Sequence, residues 1–126
     1  MTERPPDEIP FMIATTIDCA DLAGMTAFWG GLLGVETQIH DQFGFLAHAP
    51  DRKVTIWLQK VDEPKVGKNR VHLDLAVIDL EAALQRVVEL GGSVVGAQSW
   101  SDFTWRTCAD PEGNLFDIMQ AQTAES

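Results

Sequence analysis

The chain has 126 residues, 45% hydrophobic and 22% charged, a size that suits one compact domain whose core needs neither disulfide nor metal. Nine Lys and Arg against nineteen Asp and Glu give a net charge of −10, spread along the chain, so neither nucleic acid nor an anionic membrane is an expected partner. No stretch approaches the ~20 apolar residues of a membrane span. The acidic, Pro-rich start does not read as a secretory signal, and a cytoplasmic location is expected.

Residues 1–8 read as a frayed tail. Alternating apolar residues predict a strand over 11–18. A helix follows, with Asp21 as its N-cap, Leu22, Met25, Phe28, Trp29, Leu32 and Leu33 at helical spacing, and Gly34 as its left-handed stop. Three strands are predicted over 35–40, 43–49 and 54–60, then a polar linker over 61–69 that holds Pro64 and Gly67. The order then repeats: a strand over 70–77, a helix from Asp79 to Gly91-Gly92, and strands over 93–95, 103–109 and 113–120. Asp110-Pro-Glu-Gly-Asn114 is a turn, with Pro presetting φ and Gly free to take positive φ. Cys19 and Cys108 are far apart, form no CxxC, and read as small buried hydrophobes.

Asp79-Leu80 lies 58 residues after Asp21-Leu22, and Gly92 lies 58 after Gly34. Such an offset marks an internal repeat, because the structural punctuation recurs even though identity is low. The expected fold is α+β: one domain over 9–121, built from βαβββ modules at 9–61 and 68–121, joined by a linker at 62–67, with tails at 1–8 and 122–126. The adjacent Phe28 and Trp29 cannot both sit at the centre of one buried stripe, which marks the first strand and helix as candidate interface elements.

Strand alternation then separates a helix-facing set from a free face. Val54, Ile56, Leu58, Leu73, Leu75, Val77, Phe116 and Ile118 fall in the first set. Met12, Ala14, Thr16, Thr55, Trp57, Gln59, His72, Asp74, Ala76, Leu115, Asp117 and Met119 fall on the second. By the 58-residue offset His72 corresponds to Ala14 and Asp117 to Gln59, so these four are expected to converge. A mixed face with Trp57, Leu115 and Met119 beside His72 and Asp117 reads as a ligand cavity. Asp74 is a candidate partner of His72, two residues or roughly 6.6 Å away along the strand. Trp100, Phe103 and Trp105 are either core or an aromatic wall of the cavity, while His40 and His48 read as rim or surface residues.

Three motifs stand out over residues 10–121: Phe28-Trp29 with Leu32-Leu33-Gly34, Arg70-Val-His-Leu-Asp-Leu75, and Asp110-Pro-Glu-Gly-Asn-Leu-Phe-Asp117. In them the chain resembles the glyoxalase / bleomycin-resistance / extradiol-dioxygenase group, the vicinal oxygen chelate superfamily, in its glyoxalase-like branch. The resemblance implies a U-shaped mixed sheet around a cavity, helices on the outer face, and a homodimer. It also implies up to four ligands to one divalent ion, His or Gln on a module's first strand and Glu on its last. Carried over, the positions are Ala14, Gln59, His72 and Asp117. Ala14 cannot ligate; Gln59, His72 and Asp117 could form an open three-ligand site.

The expected function is binding of a small organic molecule in a cavity formed by His72, Asp117, Gln59, Trp57, Met119, Asp74 and Trp105, with no tight catalytic metal. The alternative is a lyase, epimerase or dioxygenase that depends on a divalent metal (Zn, Ni, Fe or Mn).

Overall fold

The structure, a computed structural model, describes residues 6–8, 12–48 and 54–121. The expected strand ends at Phe11 and Ala49 and most of both tails lie outside the described residues. The first module contains β1 (Ala14–Cys19), α1 (Leu22–Leu33), β2 (Thr37–His40), β3 (Phe43–Leu46) and β4 (Thr55–Lys60). The second contains β5 (Leu73–Val77), α2 (Leu80–Glu89), β6 (Ser93–Trp100), β7 (Phe103–Ala109) and β8 (Leu115–Gln120). Each module forms one four-stranded sheet, ordered β1-β4-β3-β2 and β5-β8-β7-β6. The first and last strands of each run parallel and the other pairs antiparallel, so the fold is the expected α+β pair of βαβββ units.

Both helices begin as predicted. Asp21 accepts a hydrogen bond from the Gly24 amide at 3.0 Å, and Asp79 accepts one from Ala82 at 3.1 Å. Gly34 ends α1 at φ 68, a conformation that a residue with Cβ adopts only under strain. The helices then differ. Leu80, Ala83, Leu84 and Val87 form one buried stripe on α2. Helix α1 has no charged residue between Leu22 and Leu33, and it buries Met25, Thr26, Phe28, Trp29 and Gly30. A helix apolar on several faces needs neighbours on more than one side. Sheet 1 supplies one, where Gly44 lies so close beneath α1 that a Cβ would come within 2.2 Å of Thr26 Oγ1. Phe116 of β8 supplies another, its ring centroid 4.8 Å from that of Trp29 and 6.1 Å from that of Phe28.

Phe28 and Trp29 are therefore each 1% exposed within the single chain, which corrects the expectation that they serve an interface. They instead join the modules into one core that also holds Leu58, Val87, Cys108 and Ile118. The Asp110–Asn114 turn completes the joint. Gly113 takes φ 87, and Asp110 Oδ1 accepts the amides of Glu112 and Asn114 at 3.0 and 2.9 Å. The other Asp110 oxygen accepts from Trp29 Nε1 at 3.3 Å. Glu112 reaches across to the start of α1 and accepts from the Ala20 and Asp21 amides at 2.9 and 2.6 Å.

Register refines the repeat. Val61 donates to the Cys19 carbonyl as Ala121 donates to that of Val77, at 2.8 and 2.7 Å. Cys19 and Val77 keep the 58-residue spacing, but Val61 and Ala121 are 60 apart. Two residues have been gained before the last strand, so Asp117 corresponds to Trp57 and not to Gln59. The pairings agree: Asp74 faces Asp117 as Thr16 faces Trp57. Strand β6 also runs past the expected 93–95 to Trp100, because pairing with β7 carries residues of low strand propensity and a bulge at Val94/Gly96 absorbs the irregularity. Val54, expected beneath the helix, precedes β4 and is 40% exposed. Thr55, expected on the free face, is buried and donates to the Leu46 carbonyl at 2.8 Å.

Candidate functional site

Each sheet has a face that its helix does not cover, and strand pairing maps the residues on it. On sheet 1 one row is Thr16, Trp57, Phe45 and Gln38, and the next is Asp18, Gln59, Phe43 and His40. On sheet 2 the equivalent rows are Asp74, Asp117, Thr107 and Gly96, then Ala76, Met119, Trp105 and Gln98. The side chains of Trp100 and Phe103 lie outside those described.

His72 sits just before β5, at the mouth of the second face. Asn69 puts it there: its side chain accepts from the Leu115 amide at 2.9 Å and donates to the Leu115 carbonyl at 3.2 Å. The amide group thus acts as a short piece of strand that extends the β5–β8 pairing into the linker. His72 Nε2 lies 3.3 Å from Asp74 Oδ1 and 3.3 Å from Asp117 Oδ2. Asp117 is anchored from below by the Thr107 hydroxyl, which donates to Oδ1 at 2.8 Å. Spacing along an extended strand would keep Asp74 distant from His72; they meet because His72 is outside the strand and free of its alternation.

Sheet 1 presents rings instead. Phe43 and Phe45 stack with centroids 6.2 Å apart at 30°, and Phe45 meets Trp57 edge to face at 5.7 Å. Sequence reasoning misses two of these rings, Phe43 and Phe45, as site residues. Phe-Gly-Phe at 43–45 places both on one face and is the available signal.

A cavity of about 370 Å³ opens between β1 and β5, bordered by Thr16 and Asp18 from the first open face and His72 and Leu115 from the second. Glu63, Pro64 and Lys65 of the linker also border it. A second, of about 480 Å³, is bordered by Asp74, Ala76 and apolar residues of both helices. Trp57, Gln59, Asp117, Met119 and Trp105 border neither; they stand on the open faces. His40 and His48 are exposed, His40 lying 3.6 Å from Asp41.

Cys19 borders the first cavity but is no nucleophile. Burial first, then the carboxylates of Glu112, Asp21, Asp18 and Asp110, pushes its thiol up to about 11. Burial, aided by Asp117, pushes Cys108 up to about 11 as well. Both stay protonated near neutral pH, and the thiolate is the reactive form.

A metal is the cofactor that this kind of fold implies, and the donor set decides whether the chain suits it. The resemblance puts the module 2 ligand positions at His72 and Asp117. In module 1 the corresponding positions are Ala14 and Trp57, and neither side chain can ligate. The residues present therefore do not fit a set drawn from both modules. Gln59, one of the three residues proposed for an open site, stands beside Phe43 and Asp18, one row away from the equivalent of Asp117.

The glyoxalase-like domain family matches residues 14–119, and the chain belongs to it. No curated protein matches the chain in sequence. Among solved structures it is similar to a hypothetical protein of S. aureus, with TM-score 0.72 and 18% identity over 90% of this chain and 94% of that one. It is also similar to a glyoxalase/bleomycin resistance protein from Albidiferax ferrireducens, with TM-score 0.70 and 18% identity over 89% and 98% of the two chains. A fosfomycin resistance protein from Mesorhizobium loti gives 0.68 and 15% over 96% and 98%. At these identities the likeness shows the shared fold.

Proposed function

We propose that this chain binds a small organic molecule between the open faces of its two sheets, without a tightly held catalytic metal. The observation that carries this reading is the pair Ala14 and Trp57 at the module 1 positions where ligands would stand. His72 and Asp117 then act as polar anchors beside an apolar surface, the usual composition of a small-molecule site. The His72 nitrogen stands 3.3 Å from an oxygen of Asp74 and 3.3 Å from an oxygen of Asp117, so the three groups already lie against one another.

A second reading, a divalent-metal lyase, epimerase or dioxygenase, is favoured by one observation. His72, Asp74 and Asp117 offer three ligand atoms within 4.8 Å of one another. A metal there would supply Lewis-acid polarisation of adjacent oxygens. The test is a thermal-shift and NMR screen of small organic compounds in the presence of EDTA, on wild type and His72→Ala. Hits that survive EDTA and weaken in His72→Ala support the first reading; hits that require added metal contradict it.

The expected homodimer belongs to the same proposal. Met12 and Ile13, 69% and 54% exposed, precede β1, and Val54, 40% exposed, precedes β4 beside them. Apolar groups grouped at one sheet corner suit a second copy. Sedimentation showing only monomer at high micromolar concentration would contradict it. No helix of the described residues is long and apolar enough to cross a membrane; a cytoplasmic setting is likewise proposed, on the protonated thiols and acidic surface.

A further inference from the structure

We infer that the second cavity, the hollow of about 480 Å³ along β5, is a binding site of its own for an uncharged aliphatic molecule. The ligand class is an alkyl or alicyclic body with at most one hydroxyl or carbonyl. His72 and Asp117 do not border this hollow, so it stands apart from the anchors proposed above.

The two cavities are counterparts in the repeat. Residues 15–19, which include β1, border the first, and residues 73–77 of β5, 58 positions further on, border the second. Asn114, Leu115 and Phe116 at the start of β8 border the first; Val54, Thr55 and Ile56 at the start of β4, 60 positions earlier, border the second. The fold makes the hollow twice, and the side chains decide what each can hold. Trp29 and Phe116 put rings into the wall of the first. Their counterparts are Val87 and Ile56, and no aromatic residue borders the second. Space that rings take up in one module is left open in the other.

The chemistry of the wall then sets the ligand. Asp18, Glu63, Lys65, His72 and Glu112 border the first hollow, whereas Asp74 is the one charged residue bordering the second. The Asp74 carboxylate already has His72 Nε2 at 3.3 Å. An ion entering the second hollow would give up water and meet no free counter-charge. The Thr55 hydroxyl donates to the Leu46 carbonyl at 2.8 Å, which leaves the Thr15 hydroxyl for a single polar group of the ligand. The remaining wall is aliphatic. Leu32, Leu33, Leu75 and Val77 pack on the core but are only partly buried, so apolar surface is left for a ligand to cover. The hollow follows β5 for five residues, roughly 13 Å, the length of a medium alkyl chain. With no ring to stack on, a flat aromatic gains nothing over an aliphatic body of the same size.

The experiment is an NMR titration of the protein, its methyl groups isotopically labelled, with straight-chain alcohols from 1-butanol to 1-octanol and with octanoate. The expected result is saturable 1:1 binding of 1-octanol that shifts the methyls of Leu32, Leu33, Leu75, Val77 and Ile118. The methyls of Leu58 in the core and Leu115 at the first hollow stay in place. Affinity rises about fourfold per added methylene, and octanoate binds about tenfold or more weakly than 1-octanol. Ala83→Leu puts added carbons into the hollow from α2 and weakens 1-octanol about tenfold or more. Val88→Leu, on a 57% exposed position of the same helix, leaves binding unchanged.

Shifts that map to the first hollow or to the open faces overturn the proposal, and this map on the wild type decides the matter even if Ala83→Leu does not fold. Octanoate binding as tightly as 1-octanol overturns the uncharged class. Affinity that falls as the protein is concentrated also overturns it, because a second copy then covers the hollow. If no alcohol binds, the site is overturned, while the reading of the open faces is judged separately by the compound screen in EDTA.

Discussion

Where β4 carries Trp57, β8 carries Asp117, and their neighbours differ in the same sense: Phe45 on β3 corresponds to Thr107 on β7. In this row the first open face carries rings and the second carboxylates and a hydroxyl, while Met119 and Trp105 stand in the next row of sheet 2. The helices differ too. Helix α1 is held between modules and buried on more than one side, whereas α2 buries a single stripe. Even the helix starts are tied differently. Glu112 reaches from the other module to the start of α1, while the start of α2 is held by Gln120 of its own module, which accepts from the Leu80 amide at 3.2 Å. A repeated backbone conserves what pairing and capping require and leaves the open faces free to diverge. The Asp-Pro-Glu-Gly-Asn turn has no counterpart in module 1 and belongs to the scaffold: it is a joint between modules, and its acidic residues are occupied by amides and an indole.

The helix difference gives the largest expected effect. Trp29→Ala removes a fully buried ring and the donor to buried Asp110, and should cost about 4 kcal/mol in chemical denaturation. Leu84→Ala on α2 should cost about 2–3 kcal/mol, since its site at 8% exposure can partly collapse or hydrate. Equal costs would break the comparison. Next come the helix starts. Glu112→Ala frees the Ala20 and Asp21 amides just before α1 and should cost about 1–2 kcal/mol, against about 0.5–1 kcal/mol for Gln120→Ala.

Much of this scaffold is legible in the sequence. Asp21, Asp79, Gly34 and Gly113 act locally, and their caps and turns stand where spacing puts them. Ile56, Leu58, Phe116 and Ile118 can be assigned to the core because alternation is a two-residue rule that needs no partner. Glu112 cannot be foreseen, since its bonds to Ala20 and Asp21 close loops of 92 and 91 residues with no sequence signal. The site is half legible. His72 and Asp117 stand out, but a constant offset ties Asp117 to Gln59, because two residues gained after α2 leave no mark on the helices. Asp74 is legible as a candidate partner of His72, but their close approach is not, because strand spacing holds only inside a strand.

The thiols sharpen the picture at high pH. Both have pKa values raised from 9.0 to about 11 in the folded state, so the native protein keeps protons that the unfolded chain releases. Stability owed to them is complete below pH 9 and declines as pH rises from 9 towards 11. Cys108→Ala should flatten that decline, as read from denaturation midpoints across the range. A thiol reagent at neutral pH should label neither cysteine until the protein unfolds.

The smallest stability effect is expected on the open faces. His72 is 47% exposed, and His72→Ala should move stability by less than about 0.5 kcal/mol while weakening ligand binding. A large loss of stability with binding intact would make His72 a scaffold residue and erase the contrast between framework and face.

The division between a ring-bearing and a carboxylate-bearing module is tested most directly by calorimetric titration with Zn²⁺ and Ni²⁺, on wild type and on a variant carrying Ala14→His and Trp57→Glu. If module 1 lacks ligands for the reason given, wild type binds weakly and the double variant binds roughly 10- to 100-fold tighter. Tight, stoichiometric binding by wild type, left unchanged by the two substitutions, would contradict it.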